Sequence, residues 1–406
     1  MTDDVRFSKA GAARAAVAGP STRSVHLAEA VDPTTGSVTA PIVANAAFAY
    51  PDLDTWRAVA LGQAEGHIYS RNSNPTTDRL EAKVAALEGA TAAASFATGM
   101  AAISSTLFGL LDAGGRAVTV RDAYGGTYLL FTDVLPRFGI DCAIVDSDDA
   151  DALDAAIGDG CDLLYLESPT NPTLKVLDLS RHAGTAHDVG ATVVVDNTFA
   201  TPINQTPLAL GADLVVHSAT KFLGGHGDVL GGVVCGTPDL VDRVYKFREI
   251  AGTGLDAAAA ALLLRSLKTL GLRIERQNAN AMAVARWLTG HDAVSVVHYP
   301  GLPDHPRHDI AVRQMRGFGG VLAFELTGGE DAVRDLLPRL RYAYLAANLG
   351  QVETIVGPPS TTSHVELTAA QRVAAGVPEG LVRYAVGIED VDDLIDDLAQ
   401  ALEATT

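Results

Sequence analysis

The sequence is poor in lysine and cysteine, and each shortage argues against a class of function. Only six of the 406 residues are lysine, and acidic residues outnumber Lys and Arg by 49 to 30, which gives a formal net charge of −19. Such a surface repels phosphate backbones and anionic lipids, so we expect no nucleic-acid partner. The three cysteines, Cys142, Cys161 and Cys235, have neither CxxC nor metal-ligand spacing. They predict reduced thiols in a cytoplasmic protein.

The sequence also lacks the features of a secretory leader or a membrane span. The first residues, MTDDVRF, are acidic and no long apolar stretch follows them. Residues 89–111 contain no charged residue, but Ser, Thr and Gly interrupt this stretch, as in SFATGMAAISST. This composition predicts a buried loop and helix rather than a bilayer-spanning helix. We expect a cytoplasmic protein that does not enter a membrane.

Several catalytic motifs are missing as well. No GK dipeptide occurs, which excludes a Walker A loop, and neither HExxH, GxSxG nor a strand-linked GxGxxG is present. His226 and Asp228 in GGHGD form a single pair of possible metal ligands, and a turn is the favoured interpretation of that segment. The sequence therefore predicts no metal site.

What the sequence does contain is a chain too long for one ordinary core, which predicts at least two domains. Regular structure is predicted from DRLEAKVAALEG onward. This segment has helical periodicity, with Asp78 and Glu81 as an expected cap pair and Gly89 as the expected terminator.

Short apolar runs then alternate with amphipathic stretches. The runs end at Val120, Glu167, Asp196 and His217. This pattern predicts a parallel sheet covered by helices on both faces. Ligands of such sheets bind outside the carboxyl ends of the strands, so we expect Glu167, Asp196 and residues 218–221 to share one site.

The second half of the chain has a different pattern. A long helix is predicted over 258–288, a strand over 319–326, and a final strand and helix over 381–387 and 389–402. These elements predict a smaller α+β domain. The expected organisation is an N-terminal arm at 1–75 that contacts a neighbouring subunit, a large domain at 76–262 and a C-terminal small domain at 263–406.

The segment SATKFLGGHGD places Lys221 just after a predicted strand. Taken alone, this lysine is a solvated loop residue, a phosphate ligand or a nucleophile. Asp196 ends the preceding strand, and an aldehyde cofactor with a pyridine ring needs both a lysine amine and a carboxylate. Ser218 and Thr220 offer hydroxyl donors to a phosphate, and ATGMAA offers a helix N-terminus. Each feature has a purely structural explanation, but together they favour pyridoxal phosphate as the cofactor.

The sequence resembles the Cys/Met-metabolism family of pyridoxal-phosphate enzymes. This family includes cystathionine γ-synthase, cystathionine γ-lyase, methionine γ-lyase and the O-acylhomoserine sulfhydrylases. The similarity extends over nearly the whole chain, through TRSVH, YSRNSNPT, TGMAAI, DAYGGTY, YLESPTNP, VVVDNTFATP, HSATKFLGGHGD, SLKTLGLRIERQNANA and GLVRYAVGIED. It implies an α/β, type I fold like that of aspartate aminotransferase, with a mostly parallel seven-stranded sheet in the large domain. It also implies a homotetramer built from two catalytic dimers.

The resemblance implies roles for the residues that match the family's motifs. Lys221 matches the lysine that forms the Schiff base with the cofactor, and Asp196 matches the partner of the pyridine nitrogen. Tyr124 matches the tyrosine that stacks on the ring and takes part in proton transfer. Asn171 matches the residue near the phenolic oxygen, and Arg383 matches the group that binds the substrate carboxylate, a role that suits a guanidinium.

The phosphate-binding residues are implied in the same way. Gly99, Met100, Ser218 and Thr220 match the phosphate site. Tyr69 and Arg71, in YSRNSNPT, match residues that reach the phosphate from the neighbouring subunit, which accounts for the N-terminal arm.

Four positions depart from parts of the family pattern. Cystathionine-handling members carry an arginine at the position of Leu129 and a glutamate at that of Ala347. Their loss predicts an apolar substrate end, because an unpaired distal charge would be costly to bury there. Asn348 replaces the serine of most members, although sulfhydrylases tend to have asparagine. Gly126 stands where methionine γ-lyases usually have a cysteine.

The predicted function is γ-elimination from an L-amino acid with a small or apolar γ-substituent. The expected substrate-binding residues are Arg383, Asn348, Tyr69, Leu129 and Ala347. One alternative is a γ-replacement transferase of the O-acylhomoserine sulfhydrylase or cystathionine γ-synthase type. Another is a specialised γ-elimination that releases an unsaturated amino acid. A non-catalytic assembly protein is the alternative from another class, against which the complete set of catalytic residues argues.

Overall fold

The computed structural model describes residues 18–29, 31–32, 34–362, 365, 368, 370, 372 and 376–403. Part of the predicted N-terminal arm therefore lies outside the described residues. Within them, no helix combines the length and the hydrophobicity that a bilayer crossing requires.

A seven-stranded sheet occupies the first half of the chain. Its strands are β1 (Ala92–Phe96), β2 (Arg116–Val120), β3 (Asp141–Val145), β4 (Leu163–Glu167), β5 (Thr192–Asp196), β6 (Leu214–Ser218) and β7 (Gly232–Gly236). Their order is β1-β7-β6-β5-β4-β2-β3, and β7 runs antiparallel to both of its neighbours while the other pairs are parallel. The predicted mostly parallel seven-stranded sheet is confirmed.

Both faces of this sheet are buried, which explains the uninterrupted apolar runs. Along β5, Val193 and Val195 pack into the hydrophobic core on one side, and Val194 packs into the core on the other. Such two-sided burial is typical of parallel sheets covered by helices.

The strand ends agree closely with the sequence. β2, β4 and β5 end where predicted, at Val120, Glu167 and Asp196, and β6 ends at Ser218, one residue beyond the predicted end at His217.

The α-helices of this half are α1 (Pro20–His26), α2 (Leu53–Ala60), α3 (Pro75–Glu88), α4 (Gly99–Leu110), α5 (Gly125–Leu129), α6 (Ala150–Gly158), α7 (Leu179–Asp188), α8 (Thr201–Asn204), α9 (Pro238–Ala251) and α10 (Ala257–Leu267). A π-helical turn at Leu130–Val134 and a 3₁₀ turn at Leu135–Phe138 follow α5. A further 3₁₀ turn lies at Pro207–Leu210.

Helix α3 begins earlier than predicted. The Asn74 side chain accepts a backbone N–H of the first turn at 2.8 Å and caps the helix. Pro75 follows at the first helical position, where its missing N–H has no acceptor to lose. The predicted cap pair is therefore wrong, because Asp78 lies within the helix and Glu81 accepts hydrogen bonds from neighbouring elements. The predicted end is confirmed, since Gly89 terminates the helix at a φ of 78°.

The C-terminal part contains a second, five-stranded sheet of order β10-β11-β12-β9-β8. Its strands are β8 (Val294–His298), β9 (Val321–Leu326), β10 (Tyr344–Leu345), β11 (Ile355–Gly357) and β12 (Leu381–Ala385). Its α-helices are α11 (Leu270–Thr289), α12 (His308–Gln314), α13 (Gly329–Leu336) and α14 (Val391–Glu403), and a 3₁₀ turn lies at Leu337–Arg339. Apolar side chains of α11, α13 and α14 pack with this sheet in one core. The expected smaller α+β unit is confirmed, whereas the boundary proposed at residue 262 falls inside α10 and stays a prediction.

The long helix predicted over 258–288 is two helices, so this prediction is wrong. α10 ends before Lys268, and the Ser266 carbonyl accepts the Thr269 hydroxyl and the Arg273 guanidinium, each at 3.1 Å. The same carbonyl accepts the Thr269 backbone N–H at 3.1 Å, three residues on, whereas an unbroken α-helix would use the N–H four residues on. The apolar periodicity continues through the break, which is why the sequence pattern does not mark it.

Residues 20–29 of the N-terminal segment pack against their own chain. The side chain of Lys83 is fully buried, and its amine donates to the Leu27 carbonyl at 3.2 Å and to Glu29 Oε1 at 2.9 Å. A contact of the arm with a neighbouring subunit stays a prediction.

Candidate active site

A cavity of about 440 Å³ opens at the carboxyl ends of β4, β5 and β6, beside the N-terminus of α4. Ten of the fourteen predicted site residues line it: Gly99, Met100, Tyr124, Asn171, Asp196, Ser218, Thr220, Lys221, Ala347 and Arg383. The topology thus brings residues from both sheets together, as expected for the strand ends of a doubly covered sheet.

Lys221 lies in the turn that follows β6. Its amine donates to Asn348 Oδ1 at 2.7 Å. Burial, together with the nearby positive charge of Arg383, lowers the pKa of Lys221 to about 8. An amine with this pKa is partly uncharged near neutral pH, so it can act as a nucleophile and as a base.

Asp196 ends β5 and is buried. Its two carboxylate oxygens have separate donors, the Tyr165 hydroxyl at 3.2 Å from Oδ2 and the Thr198 backbone N–H at 2.9 Å from Oδ1. Burial raises the pKa of Asp196, and the Thr198 hydrogen bonds oppose this rise. A buried carboxyl group held in this way is suited to pair with a protonated ring nitrogen.

The N-terminus of α4 forms the opposite part of the site. The Thr98 hydroxyl accepts the Ala101 N–H at 3.0 Å, while the amides of Gly99 and Met100 lie in the first turn, where a helix offers no acceptor. A Cβ on Gly99 would lie 2.6 Å from the Cβ of Ser218, so the close approach of helix and strand end requires glycine. Free amides and the helix dipole favour an anion such as phosphate here.

Glu167 is a further buried carboxyl group in the cavity. Its Oε2 accepts the backbone N–H of Tyr124 at 2.8 Å and so holds the residue that precedes α5. Glu167 is the β4 neighbour of Asp196 in the parallel register. Burial and the charge of Asp196 raise the pKa of Glu167 well above its usual value.

Arg383 reaches the cavity from β12 of the second sheet. Its guanidinium donates to Asn171 Oδ1 at 3.0 Å and to the Asn348 carbonyl at 3.1 Å. Burial lowers the pKa of Arg383 to about 10, which leaves it positively charged at neutral pH. This orientation gives the site a fixed cation for a carboxylate.

Four predicted residues do not line this cavity. Asn348 lines an adjoining depression of about 480 Å³ and is hydrogen-bonded to Lys221 and Arg383 of the cavity. Leu129 lies at the end of α5 outside both. Tyr69 and Arg71 line a separate pocket, where the Arg71 guanidinium lies 5.3 Å from the centre of the Tyr69 ring. Their predicted roles stay predictions.

The His226–Asp228 segment forms the turn after Lys221. His226 Nδ1 lies 2.8 Å from the Gly224 carbonyl and 3.1 Å from Ser266 Oγ. In the part of the chain that the structure describes, no three His, Cys, Asp or Glu side chains cluster as a metal site would require.

Reasoning from the sequence missed Tyr165, Thr198 and Thr98 as residues that support the site. Thr198 follows Asp196 by two positions, and an Asx turn was the signal for its N–H bond to the carboxylate. Tyr165 lies two residues before Glu167 on the same face of β4, so the strand alternation and the register of β4 with β5 were needed to place it beside Asp196.

The donors and acceptors of this cavity fit pyridoxal phosphate. The cofactor carries an aldehyde, a ring nitrogen and a phosphate, for which Lys221, Asp196 and the first turn of α4 are the matching groups. The glycine at position 99 leaves the space that a Cβ would fill beside Ser218.

Comparison with known proteins agrees with this fit. The model of a family described as Cys/Met metabolism PLP-dependent enzyme matches residues 21–403. The chain is 42% identical to L-methionine gamma-lyase of Pseudomonas putida over 389 residues, which are 95% of this chain and 98% of the relative. It is 43% identical to cystathionine gamma-synthase of Mycobacterium bovis over 387 residues, which are 95% and 97% of the two chains.

Among solved structures, cystathionine gamma synthase of Xanthomonas oryzae pv. oryzae, in complex with aminoacrylate and cysteine, has the same fold. The TM-score is 0.90 at 38% sequence identity, and the match covers 96% of this chain and 100% of the other. The chain therefore belongs to the Cys/Met-metabolism family of enzymes that depend on pyridoxal phosphate.

Proposed function

We propose that the protein catalyses γ-elimination from an L-amino acid whose γ-substituent is small or apolar. Its relatives include both γ-lyases and γ-synthases, so elimination and replacement both lie within the family. The observation that carries the proposal is the apolar wall that Leu230, Ala347 and Leu349 contribute to the cavity.

The charged groups of the cavity support this choice. Among the described residues that line it, the acidic and basic side chains are those of Glu167, Asp196, Lys221 and Arg383. Asp196 and Lys221 are needed for the cofactor and Arg383 for the substrate carboxylate, while Glu167 holds the Tyr124 amide. A second amino-acid group at the far end of the substrate would find no unused partner there, and burying an unpaired charge is costly.

Four residues of the cavity each have a defined task in the proposed reaction. When bound, the cofactor supplies an electron sink for the electron pair left behind when the α-proton departs. Arg383 binds the substrate carboxylate, and Lys221 accepts the α-proton at Nζ. Asp196 keeps the ring nitrogen protonated. Tyr124, which precedes α5 and lines the cavity, is the second group for proton transfer.

We also propose that the protein is a homotetramer of two catalytic dimers. Tyr69 is 44% exposed and lies with Arg71 outside the Lys221 cavity of its own chain. A ring and a guanidinium presented at the surface are suited to complete the phosphate site of a neighbouring subunit.

The cytoplasm is the compartment that we propose for this enzyme. The three cysteines are all free, and two of them are buried. Thiols in this state fit a reducing environment.

The second candidate is γ-replacement, and one observation favours it. Exposed Asp228 lies on the depression that adjoins the cavity, together with Lys221 and Asn348. Its carboxylate would bind the ammonium group of an incoming amino thiol. Addition of that thiol at the γ-carbon is the γ-replacement reaction.

Product analysis by mass spectrometry distinguishes the two reactions. The holoenzyme is given L-methionine, L-cystathionine, O-acetyl-L-homoserine and O-succinyl-L-homoserine, each with and without a thiol. The proposal predicts a 2-oxo acid and ammonia without thiol, with L-methionine consumed faster than L-cystathionine. A thioether formed only when thiol is present would assign the enzyme as a transferase and contradict the proposal.

A further inference from the structure

A row of polar side chains leads away from the Lys221 amine. The amine donates to Asn348 Oδ1 at 2.7 Å, and Asn348 Nδ2 donates to Gln351 Oε1 at 3.0 Å. Gln351 Nε2 in turn donates to Glu353 Oε2 at 3.1 Å. Three hydrogen bonds therefore connect Lys221 to a carboxylate in the segment between β10 and β11.

The carboxylate gives this row a direction. An ionised carboxylate accepts hydrogen bonds and cannot donate one, whereas an amide presents an acceptor on one side and a donor on the other. The Glu353 carboxylate therefore accepts from the amide nitrogen of Gln351, and the Gln351 oxygen faces Asn348. Asn348 must then direct its nitrogen to Gln351 and its oxygen to Lys221.

The orientation of the Asn348 amide matters for the chemistry of Lys221. A neutral amine that donates one N–H to an oxygen keeps its lone pair free. That lone pair forms the new N–H bond when the α-proton is removed, while the electron pair of the broken Cα–H bond stays with the substrate carbon. If the amide were reversed, Asn348 Nδ2 would donate into the lone pair and compete with the substrate proton.

The segment that carries Gln351 is held firmly against the turn after Lys221. The Gln351 backbone carbonyl accepts Gln277 Nε2 at 2.9 Å, and the Gln351 side chain packs on Gly227. Gly227 has a φ of +69°, and a Cβ there would lie 2.6 Å from Gln351 Oε1. The amide of Gln351 is therefore fixed in place as well as in direction.

We propose that Gln351 and Glu353 are positioning residues that fix the Asn348 amide and thereby keep the Lys221 amine a proton acceptor. This inference rests on the proposed role of Lys221, but it does not depend on the choice between elimination and replacement. Neither residue is assigned a contact with the substrate.

The first test measures α-proton exchange of L-alanine in D₂O by NMR with the holoenzyme. L-Alanine has no γ-substituent, so neither elimination nor replacement can follow, and a wrong assignment of the reaction cannot disturb the result. Gln351→Met keeps the length of the side chain but removes the acceptor for Asn348. We expect exchange to slow about tenfold, the factor that corresponds to one hydrogen bond of about 1.4 kcal/mol.

The matched control exchanges the two residues. In the double variant Gln351→Glu, Glu353→Gln, the carboxylate at position 351 accepts from both amides, so the Asn348 oxygen still faces Lys221. Exchange should return to within about twofold of the parent, well inside the tenfold loss expected for one hydrogen bond. In an Asn348→Ser background, where a hydroxyl rotates freely, Gln351→Met should add no further loss.

A second readout needs no cofactor. In the cofactor-free full-length chain, an amine-reactive reagent labels Lys221, and peptide mass spectrometry gives the labelling rate against pH. The rate of the parent should rise through a midpoint near pH 8, and Gln351→Met should shift this curve.

The inference is overturned if Gln351→Met leaves exchange and labelling unchanged, or if the double variant is as slow as Gln351→Met. No α-exchange in the parent would overturn both the inference and the role of Lys221.

Discussion

The two ends of the active-site cavity are built in different ways. At the cofactor end, Asp196 and Ser218 lie at the ends of adjacent strands of the large sheet. At the substrate end, Ala347, Asn348 and Leu349 belong to an irregular segment between β10 and β11 of the small sheet. Sheet hydrogen bonds fix the backbone of the first group, so its side chains start from well-defined positions.

Within the substrate end, Ala347 is the residue that is free to vary, because Leu349 is buried in the core and Asn348 bonds to Lys221. Ala347 is exposed on the single chain, so a larger residue there would not disturb a packed core. We infer that the architecture fixes the cofactor, whereas replaceable side chains select the substrate. Variants at the cofactor end should therefore have large effects on every substrate, and variants at the substrate end small effects that depend on the substrate.

The largest effect is expected at Lys221. Lys221→Ala removes both the nucleophile for the cofactor aldehyde and the base, so turnover should fall at least about a thousandfold and the visible absorbance of the bound cofactor should change. Lys246→Ala is the control, because this exposed lysine pairs with Asp242 on the same helix at 2.6 Å and does not line the cavity. Turnover of Lys221→Ala near the parent level would contradict the role of this residue.

The next largest effect is the dependence of cofactor uptake on pH. Lys221 must be uncharged to attack the cofactor aldehyde, and in the cofactor-free chain its pKa is lowered to about 8, so the rate of cofactor uptake should fall about tenfold for each pH unit below that value. Asn348→Asp places a negative charge beside the amine and raises its pKa, which should move the midpoint to higher pH. A midpoint that Asn348→Asp leaves unchanged would show that another group controls the profile.

A smaller effect is expected at Tyr165, which donates its hydroxyl to Asp196 at 3.2 Å. Tyr165→Phe removes one donor to the ionised carboxylate, which raises the pKa of Asp196 and weakens its bond to the ring nitrogen. The dissociation constant of the cofactor should rise about fivefold, as for the loss of about 1 kcal/mol.

Tyr384→Phe is the matched control for this variant. Tyr384 is also fully buried, and among the described residues its hydroxyl has no hydrogen-bond partner. The cofactor affinity of Tyr384→Phe should equal that of the parent. Equal losses in the two variants would show that the effect comes from core packing and not from Asp196.

The smallest effect on the preferred substrate is expected at Ala347. Ala347→Glu adds a carboxylate to the apolar wall, so kcat/KM for L-cystathionine should rise relative to that for L-methionine by about threefold, consistent with a partly solvated ion pair. Leu129→Arg is the comparison, because Leu129 lies outside the cavity. If Leu129→Arg changed the specificity and Ala347→Glu did not, α5 would contribute to substrate selection, and the assignment of that role to the segment between β10 and β11 would be wrong.

The sequence predicts which strand-end residues meet in the cavity, because their positions coincide with the ends of apolar runs. Glu167 and Asp196 follow apolar runs whose ends are marked by the first charged residue. Gly99 was placed from a glycine turn before a helix, and the structure shows the close contact with Ser218 that requires it.

Other features depend on contacts between distant segments, which periodicity does not contain. The bond between Tyr165 and Asp196 requires the register of β4 with β5, and the row from Lys221 to Glu353 requires the small sheet to meet the large one. The break at Thr269 is not marked by the periodicity either, and the Arg273 side chain that bonds the Ser266 carbonyl there returns from the next helix.

The preference of the enzyme for an apolar substrate end is measured by the ratio of kcat/KM for L-methionine to kcat/KM for L-cystathionine. The apolar wall at Leu230, Ala347 and Leu349 offers no partner to a distal ammonium or carboxylate group, so we predict a ratio of at least about ten. A ratio below one, with L-cystathionine preferred, would show that the substrate end binds a charged group and would contradict the account.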